Sequence, residues 1–365
     1  MSGAALALLL ASAAAGLPTQ SISNSGAPAG RVLSSDEARR LVLEETLAGL
    51  AQRVQTDGSL SVEDARLKAP VAITALGSLA LMAGGNQPGR GPQQRSLRQM
   101  LGWLLERTDP QSGVLRHESD LISRMHGQGF AVLALSQAWC VSPESELGRR
   151  LEAALHASTH CILATQGLEG GWWYGFEKSV MHEGSLTIGC LAALRGAQGA
   201  GLRIEVEPIR RAVRYVERSQ KPDGSFRYSL GDEHSSVALT AAALATLQAA
   251  GEYERASVQR GLDWLLLELA RREAEGLRSA EAQDPADGLH VSCPYYERFY
   301  LALCLWQASE RQLFEQWYPR ECERVLRERN RAGLWEDARY GSSYAVAMNS
   351  LFLALPESLL PIFQR

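Results

Sequence analysis

A recurring turn limits what this chain can fold into more than any other feature. Gln166 to Tyr174 reads Gln-Gly-Leu-Glu-Gly-Gly-Trp-Trp-Tyr, which has the form Gln-x3-Gly-x-Trp. A second copy, Gln-Lys-Pro-Asp-Gly-Ser-Phe, spans Gln220 to Phe226, and a third, with Arg329 in the Gln position, ends at Trp335. The shorter pattern Gly-x-large fits Gly58-Ser-Leu60, Gly113-Val-Leu115, Gly171-Trp-Trp173, Gly224-Ser-Phe226, Gly288-Leu-His290 and Gly333-Leu-Trp335, at intervals of 55, 58, 53, 64 and 45 residues. A near-constant period of this size marks repeated supersecondary units, none of which buries its apolar face alone. The glycine takes a positive φ and ends the preceding helix. The large residue after it packs under the next unit.

Between the turns the pattern is helical. Ile209, Ala212, Val213 and Val216 follow the i, i+3, i+4, i+7 rule, with Arg210, Arg211, Arg214 and Glu217 opposite, so this helix has one wet face. Ser235 to Ala250 is apolar or small almost all round and is expected to be buried on every side. Alternation of the two types predicts two concentric layers of helices. Six turns then predict an all-α chain folded as one α6/α6 toroid, a double ring of six helical hairpins over residues 34–365. The segment from Leu359 to Phe363 is expected to pack across one end.

The Gln-x3-Gly-x-aromatic turn, preceded by Cys161-Ile162 or Tyr215-Val216, resembles the repeat of squalene cyclases and protein prenyltransferase β-subunits. Met125-His-Gly-Gln-Gly-Phe-Ala131, His182-Glu-Gly-Ser185, Pro294-Tyr-Tyr296 and the terminal Leu360-Pro-Ile-Phe-Gln-Arg365 resemble a bacterial branch of single-toroid proteins defined by this repeat. The resemblance runs from about residue 35 to the end and implies the terpenoid cyclase-type toroid. It does not bring the family's chemistry with it. The Asp-x-Asp-Asp of class II cyclases is absent, since Asp284-Pro-Ala-Asp287 has the wrong spacing. The Asp-x-Cys of the zinc-dependent prenyltransferases and the Cys-Gly-Glu-Gln thioester of complement-type toroids are absent too. The chain is also much shorter than a two-domain cyclase.

Met1 to Ala15 carries an apolar run of signal-peptide length, with Ala13-Ala14-Ala15 as a small-residue cleavage site and no Lys or Arg ahead of it. Residues 16–33 are rich in Ser, Gly and Pro and read as a linker. Export to the periplasm or cell envelope is therefore expected, with a disordered tail on a cytoplasmic protein as the alternative. No later segment reads as transmembrane. The net charge is −4, and no basic patch interleaved with aromatics favours nucleic acid. The six cysteines read mainly as small buried hydrophobes, and no Cys-x2-Cys pair exists to build a structural zinc site.

Chemistry is expected where the inner helices begin. Nine to thirteen residues after each turn glycine stand Lys68, His126, His182, His234, Glu297 and Tyr344, so three of the seven histidines occupy equivalent positions. Glu183 and Glu233 adjoin two of them, and Tyr295 and Tyr296 lie close by. Three readings stay open. The histidines are capping and packing groups, or a polar mouth over an apolar cavity, or ligands of zinc or another metal, for which three imidazoles suit an open site. The catalytic candidates are His182, Glu183, His126 and His234, and the cavity candidates are Lys68, Tyr295, Tyr296, Glu297 and Tyr344. Two functions follow. One is a protein that binds an apolar isoprenoid, lipid or peptide segment in the central cavity. The other is a divergent terpene cyclase-like or transferase-like enzyme, with a metal or without.

Overall fold

The computed structural model describes residues 34–120, 123–253, 255–276 and 293–364. The expected leader and linker at 1–33, and the loop holding Asp284, Asp287 and Gly288, lie outside them. Twelve α-helices stand among the described residues. The odd-numbered ones form the outer layer: α1 (Ser35–Gln52), α3 (Gln94–Glu106), α5 (Glu146–Thr165), α7 (Val206–Arg218), α9 (Ala256–Ala274) and α11 (Arg311–Arg327). The even-numbered ones form the inner layer: α2 (Pro70–Ala83), α4 (Arg124–Cys140), α6 (Gly184–Gly199), α8 (Val237–Ala249), α10 (Pro294–Gln307) and α12 (Gly341–Ala354). No described helix is long and apolar enough to cross a membrane.

Composition decides the layer. In α2 and α12 every residue is buried, whereas α7 buries only Ile209, Ala212, Val213, Tyr215 and Val216. Each inner helix packs on the next, α2 on α4 and so on to α12, and α12 packs back on α2, so the ring closes. Polar bonds lock this seam. Arg39 donates to Leu353 O at 2.6 Å and to Glu357 at 2.5 Å, the Ser342 amide donates to Asp64 at 2.8 Å, and the Leu67 amide donates to Arg339 O at 2.8 Å.

The side chain that opens each Gln-x3-Gly-x-aromatic turn bonds on both sides of it. Gln220 Nε2 donates to Gly224 O at 3.0 Å within its own turn and to Ser257 O at 2.7 Å in the next unit, while its Oε1 accepts from Arg260 at 2.7 Å. Gln166 does the same with Gly170 O and Pro208 O, both at 2.9 Å, and with Arg211. Arg329 replaces the amide with a guanidinium that donates to Gly333 O at 2.7 Å and pairs with Glu45 at 2.9 Å. The side chain therefore closes its turn and also clamps the following helix.

One register differs from the expectation. In the third unit the positive φ belongs to Gly170, not Gly171, and the buried wedge is Trp172, whose indole donates to Ile162 O at 2.8 Å. Trp173 is only half-buried. The amides of the first four wedge residues are held by the inner helix that follows: Leu60 by Thr74, Leu115 by Gln128, Trp172 by Thr187 and Phe226 by Thr240, at 2.9–3.2 Å. Of the cysteines, Cys161, Cys190, Cys304 and Cys322 are buried, Cys293 is intermediate and Cys140 is exposed at the end of α4, and none of the six is in a disulfide. The terminal segment does cross one end: Trp306 Nε1 donates to Phe363 O at 2.8 Å.

Gly224 has φ +101°, and a Cβ there would lie 2.4 Å from Arg260 O. Gly224→Ala should therefore destabilise the fold by about 1–3 kcal/mol. Equal urea midpoints for the variant and the parent would show that this turn is not a constraint.

Candidate functional site

Three inner helices present matching stripes to the centre of the ring. On α4 the stripe is His126, Phe130, Leu133 and Gln137; on α10 it is Tyr296, Tyr300, Leu303 and Gln307, with the same spacing of four, three and four. On α6 it is Ser185, Gly189, Ala192, Gly196 and Gly199, with Arg195 beside Gly196. Residues so spaced share one helix face. The upper members of all three stripes line a cavity of about 330 Å³, joined by Leu76, Ala245, Thr246, Leu351, Pro361 and Ile362. The cavity thus occupies the C-terminal half of the inner ring, and the terminal segment forms part of its rim.

The cavity is not where the helix starts alone would place it. None of Lys68, Tyr295, Tyr296, Glu297 and Tyr344 lines it. The reason is side-chain size. At the N-terminal end the lumen is filled by aromatics: Tyr296 packs against Tyr300 at a tilt of 41° with centroids 4.3 Å apart, and Tyr344 meets Tyr295 and Tyr340 edge-on at 6.1 and 5.2 Å. Tyr174 and Tyr228 hydrogen-bond hydroxyl to hydroxyl there. At the C-terminal end Ala192, Gly196, Gly199, Ala245 and Ala249 leave room. Gly189, between the two levels, is half-buried, yet a Cβ on it would meet nothing within 4 Å, so open space continues down this face of α6.

The other candidates have separate surroundings. Lys68 is exposed, Tyr295 donates to Glu336 O at 2.7 Å, and Glu297 is buried against Arg272 at 2.8 Å. His182 packs edge-on against Tyr215 at 5.5 Å and its Nε2 meets Ser179 O at 2.9 Å, outside the lumen. The His234 backbone continues the bridge of its own loop, its carbonyl accepting from Tyr228 N at 3.0 Å. The three histidines therefore face different surroundings. Among the described residues no group of three or more His, Cys, Asp or Glu is placed to hold a metal. The geometry supplies no step through zinc.

His126 and Glu183 are brought together, with a serine between them that helix periodicity had not singled out. Ser185 Oγ donates to Glu183 Oε2 at 2.7 Å and lies 3.1 Å from His126 Nε2, while His126 Nδ1 meets Ser123 Oγ. The pattern in which Ser123 donates to Nδ1 and Nε2–H donates to Ser185 satisfies every group. Glu183 is also the N-cap of α6, accepting from the Ser185 amide at 2.8 Å and the Leu186 amide at 2.7 Å. Burial pushes its carboxyl up, against the Ser185 hydroxyl and the two amides that hold it down. Burial also drops His126 to about 4, because its ring faces the interior of the ring and not bulk water. At neutral pH this is a neutral imidazole joined through a hydroxyl to a buried acid, at the foot of an apolar lumen.

No sequence-family model matches this chain, and no curated protein matches it by sequence. Solved structures do. A type II terpene cyclase from Scytonema superposes with a TM-score of 0.55 over 89% of this chain and 99% of its own, at 14% identity. An α-amylase from Clostridium perfringens gives 0.61 over 90% and 99%, at 11% identity. An α-1,6-mannanase from a Salegentibacter species gives 0.57 over 88% and 98%, at 10% identity. The fold is an α/α toroid. The terpenoid cyclase-type toroid implied by the sequence repeat is thus supported, and since these toroids bear unrelated activities, fold alone does not choose among them.

Two outcomes test this geometry. Burial depresses the folded-state pKa of His126 from 6.5 to about 4, so the unfolded chain takes up a proton before the folded chain does. Stability should be full above pH 6.5 and fall as pH drops toward 4, by up to ~3 kcal/mol. His126→Gln should flatten that acid limb in urea titrations, and an unchanged limb would mean the ring is solvated. Gly189→Ala should raise stability by about 0.5–1 kcal/mol, because the methyl enters open space in a helix interior. A lower melting temperature would show that the lumen is filled at this level.

Proposed function

We propose that this protein is a binding toroid that takes a small apolar molecule, of isoprenoid or lipid type, into its lumen from the C-terminal end. The observation that carries the reading is the cavity of about 330 Å³ walled by Phe130, Leu133, Ala192, Leu303 and Leu351. That volume sits at the low end of ligand pockets, which run from about 300 to 1,000 Å³. It suits one chain or ring system better than a peptide segment. A neighbour supports the same class: the Scytonema cyclase was solved with geranylgeranyl dihydroxybenzoate, a long isoprenoid chain on an aromatic acid. Export would place such a binder in the cell envelope, a reading that rests on residues 1–33 alone.

A second reading is favoured by one observation, the His126–Ser185–Glu183 chain at the foot of the lumen. A buried carboxyl raised in pKa is suited to proton donation, and a neutral imidazole to proton acceptance. In this reading the Glu183 carboxyl gives its proton to Ser185 as the Ser185 hydroxyl gives its own to His126 Nε2, in the tautomer that carries the imidazole proton on Nδ1. The short length of the chain no longer argues against an enzyme of this kind, since the cyclase neighbour is matched over 99% of its own length. The Asp-x-Asp-Asp and Asp-x-Cys motifs are still missing.

Native mass spectrometry of protein purified from its own host separates these readings. The binder should carry an added mass of several hundred daltons, extractable into organic solvent. Ala192→Phe, which fills the cavity, should lose that mass and keep its helical circular dichroism. A bare chain that also ignores every isoprenoid and lipid offered would sink the reading. Turnover of the extracted molecule that Glu183→Gln abolishes would promote the enzyme.

A further inference from the structure

The polar groups of the lumen are not spread evenly. The walls are apolar, and the rim at the level of the fourth residue of each stripe carries Gln137, Arg195 and Gln307. Arg195 is the one charged side chain among the described residues that line the cavity. It lies half-buried on α6, donating from Nε to Ala249 O at 3.1 Å and from one terminal nitrogen to Gln198 Oε1 at 2.6 Å. Those contacts steer the guanidinium without neutralising it. Its other terminal nitrogen makes no hydrogen bond, and the group no ion pair, with any described residue. The two arginines buried in this fold, by contrast, are neutralised, Arg298 by Glu321 at 2.8 Å and Arg39 by Glu357 at 2.5 Å. Gln307 is 1% exposed, and its Oε1 has no partner, so the rim also holds an unmet acceptor.

A cation beside a low-dielectric cavity attracts an anion far more strongly than it would in water. A planar guanidinium also matches a carboxylate fork. We infer that the ligand of this toroid is an amphiphile with an acidic head: its carboxylate rests on Arg195 at the rim, and its apolar chain runs down the lumen past Phe130 and Leu303 toward Gly189. This rests on the lumen being a ligand site, as proposed above, and adds the chemical class and orientation of what enters it.

The test uses the full chain and two probes that differ only in the head, dodecanoate and dodecanol, titrated by calorimetry at a pH where the acid is ionised. Dodecanoate should bind at least about tenfold more tightly than dodecanol. Arg195→Gln should erase that preference, weakening dodecanoate far more than dodecanol. Arg195→Lys should keep part of it, which guards against a fold defect in the first variant. Equal binding of both probes, with Arg195→Gln without effect, would overturn the acidic head and leave the apolar cavity standing. Binding of neither probe, or binding that Ala192→Phe does not weaken, would overturn the cavity reading and this inference together.

Discussion

An inner helix that is apolar on every face must be covered on every face. Six of them laid in a row would leave α2 and α12 each with one open flank. Curving the row until α12 meets α2 removes both edges, and the outer helices then cover the remaining side. The rest of the structure depends on this closure. It brings residues nearly the whole chain apart into register, so that Arg39 reaches Leu353 and Asp64 reaches Ser342. These polar bonds sit at the seam, where the chain does not continue from one unit to the next, and they add to the ion pair that the Arg329 turn makes with Glu45 on α1.

Elsewhere the joining is done by the turn itself. A primary amide has two donors and an acceptor, and Gln166 and Gln220 use them to close their own loop and to hold the next outer helix. The arginine at 329 keeps the donor to the turn carbonyl and trades the other contacts for an ion pair with α1. The wedge residues are tied at their backbone by a threonine hydroxyl or, in the second unit, by the Gln128 amide. Buried amides need such partners, and each of the first four units finds its own within the next helix. A ring built this way is stabilised mainly by nearest-neighbour terms.

The lumen inherits its polarity from the layering of the stripes. Large aromatic rings crowd one end, small residues open the other, and polar groups lie at the two extremes with apolar walls between. That gradient is the basis on which an amphiphile is proposed in place of a hydrocarbon or a sugar. It also separates the two chemically interesting levels. His126, Ser185 and Glu183 sit at the foot, one turn below the cavity that Phe130, Ala192 and Tyr300 line, and Arg195 sits at the rim. A chain held at the rim would bring its far end toward the foot, which is the geometry an acid–base relay would need.

Much of the fold was legible without coordinates, because helix periodicity and turn glycines are local. The amphipathic pattern of α7, the wholly apolar run of α8 and the Gln-x3-Gly-x-aromatic turns each report on residues a few positions apart. Even there the Gly170–Gly171 pair left the register open by one, since two adjacent glycines are equally permissive and only packing of Trp172 chose between them. The site was less legible. Spacing from the turn marked His126, His182 and His234 as equivalent, but side-chain direction at a helix start depends on the cap and on neighbours from other units. The result is one histidine in the lumen, one against Tyr215 and one in a loop. The run Arg195-Gly-Ala-Gln-Gly199 did carry a signal, a charge and small residues inside an apolar helix. By itself, the sequence determined a repeating helical ring, because that follows from contacts within and between adjacent units. Where the ring is hollow, and which charge faces the hollow, was decided only by the tertiary structure, because free volume is what remains after side chains from all six inner helices have met at one axis.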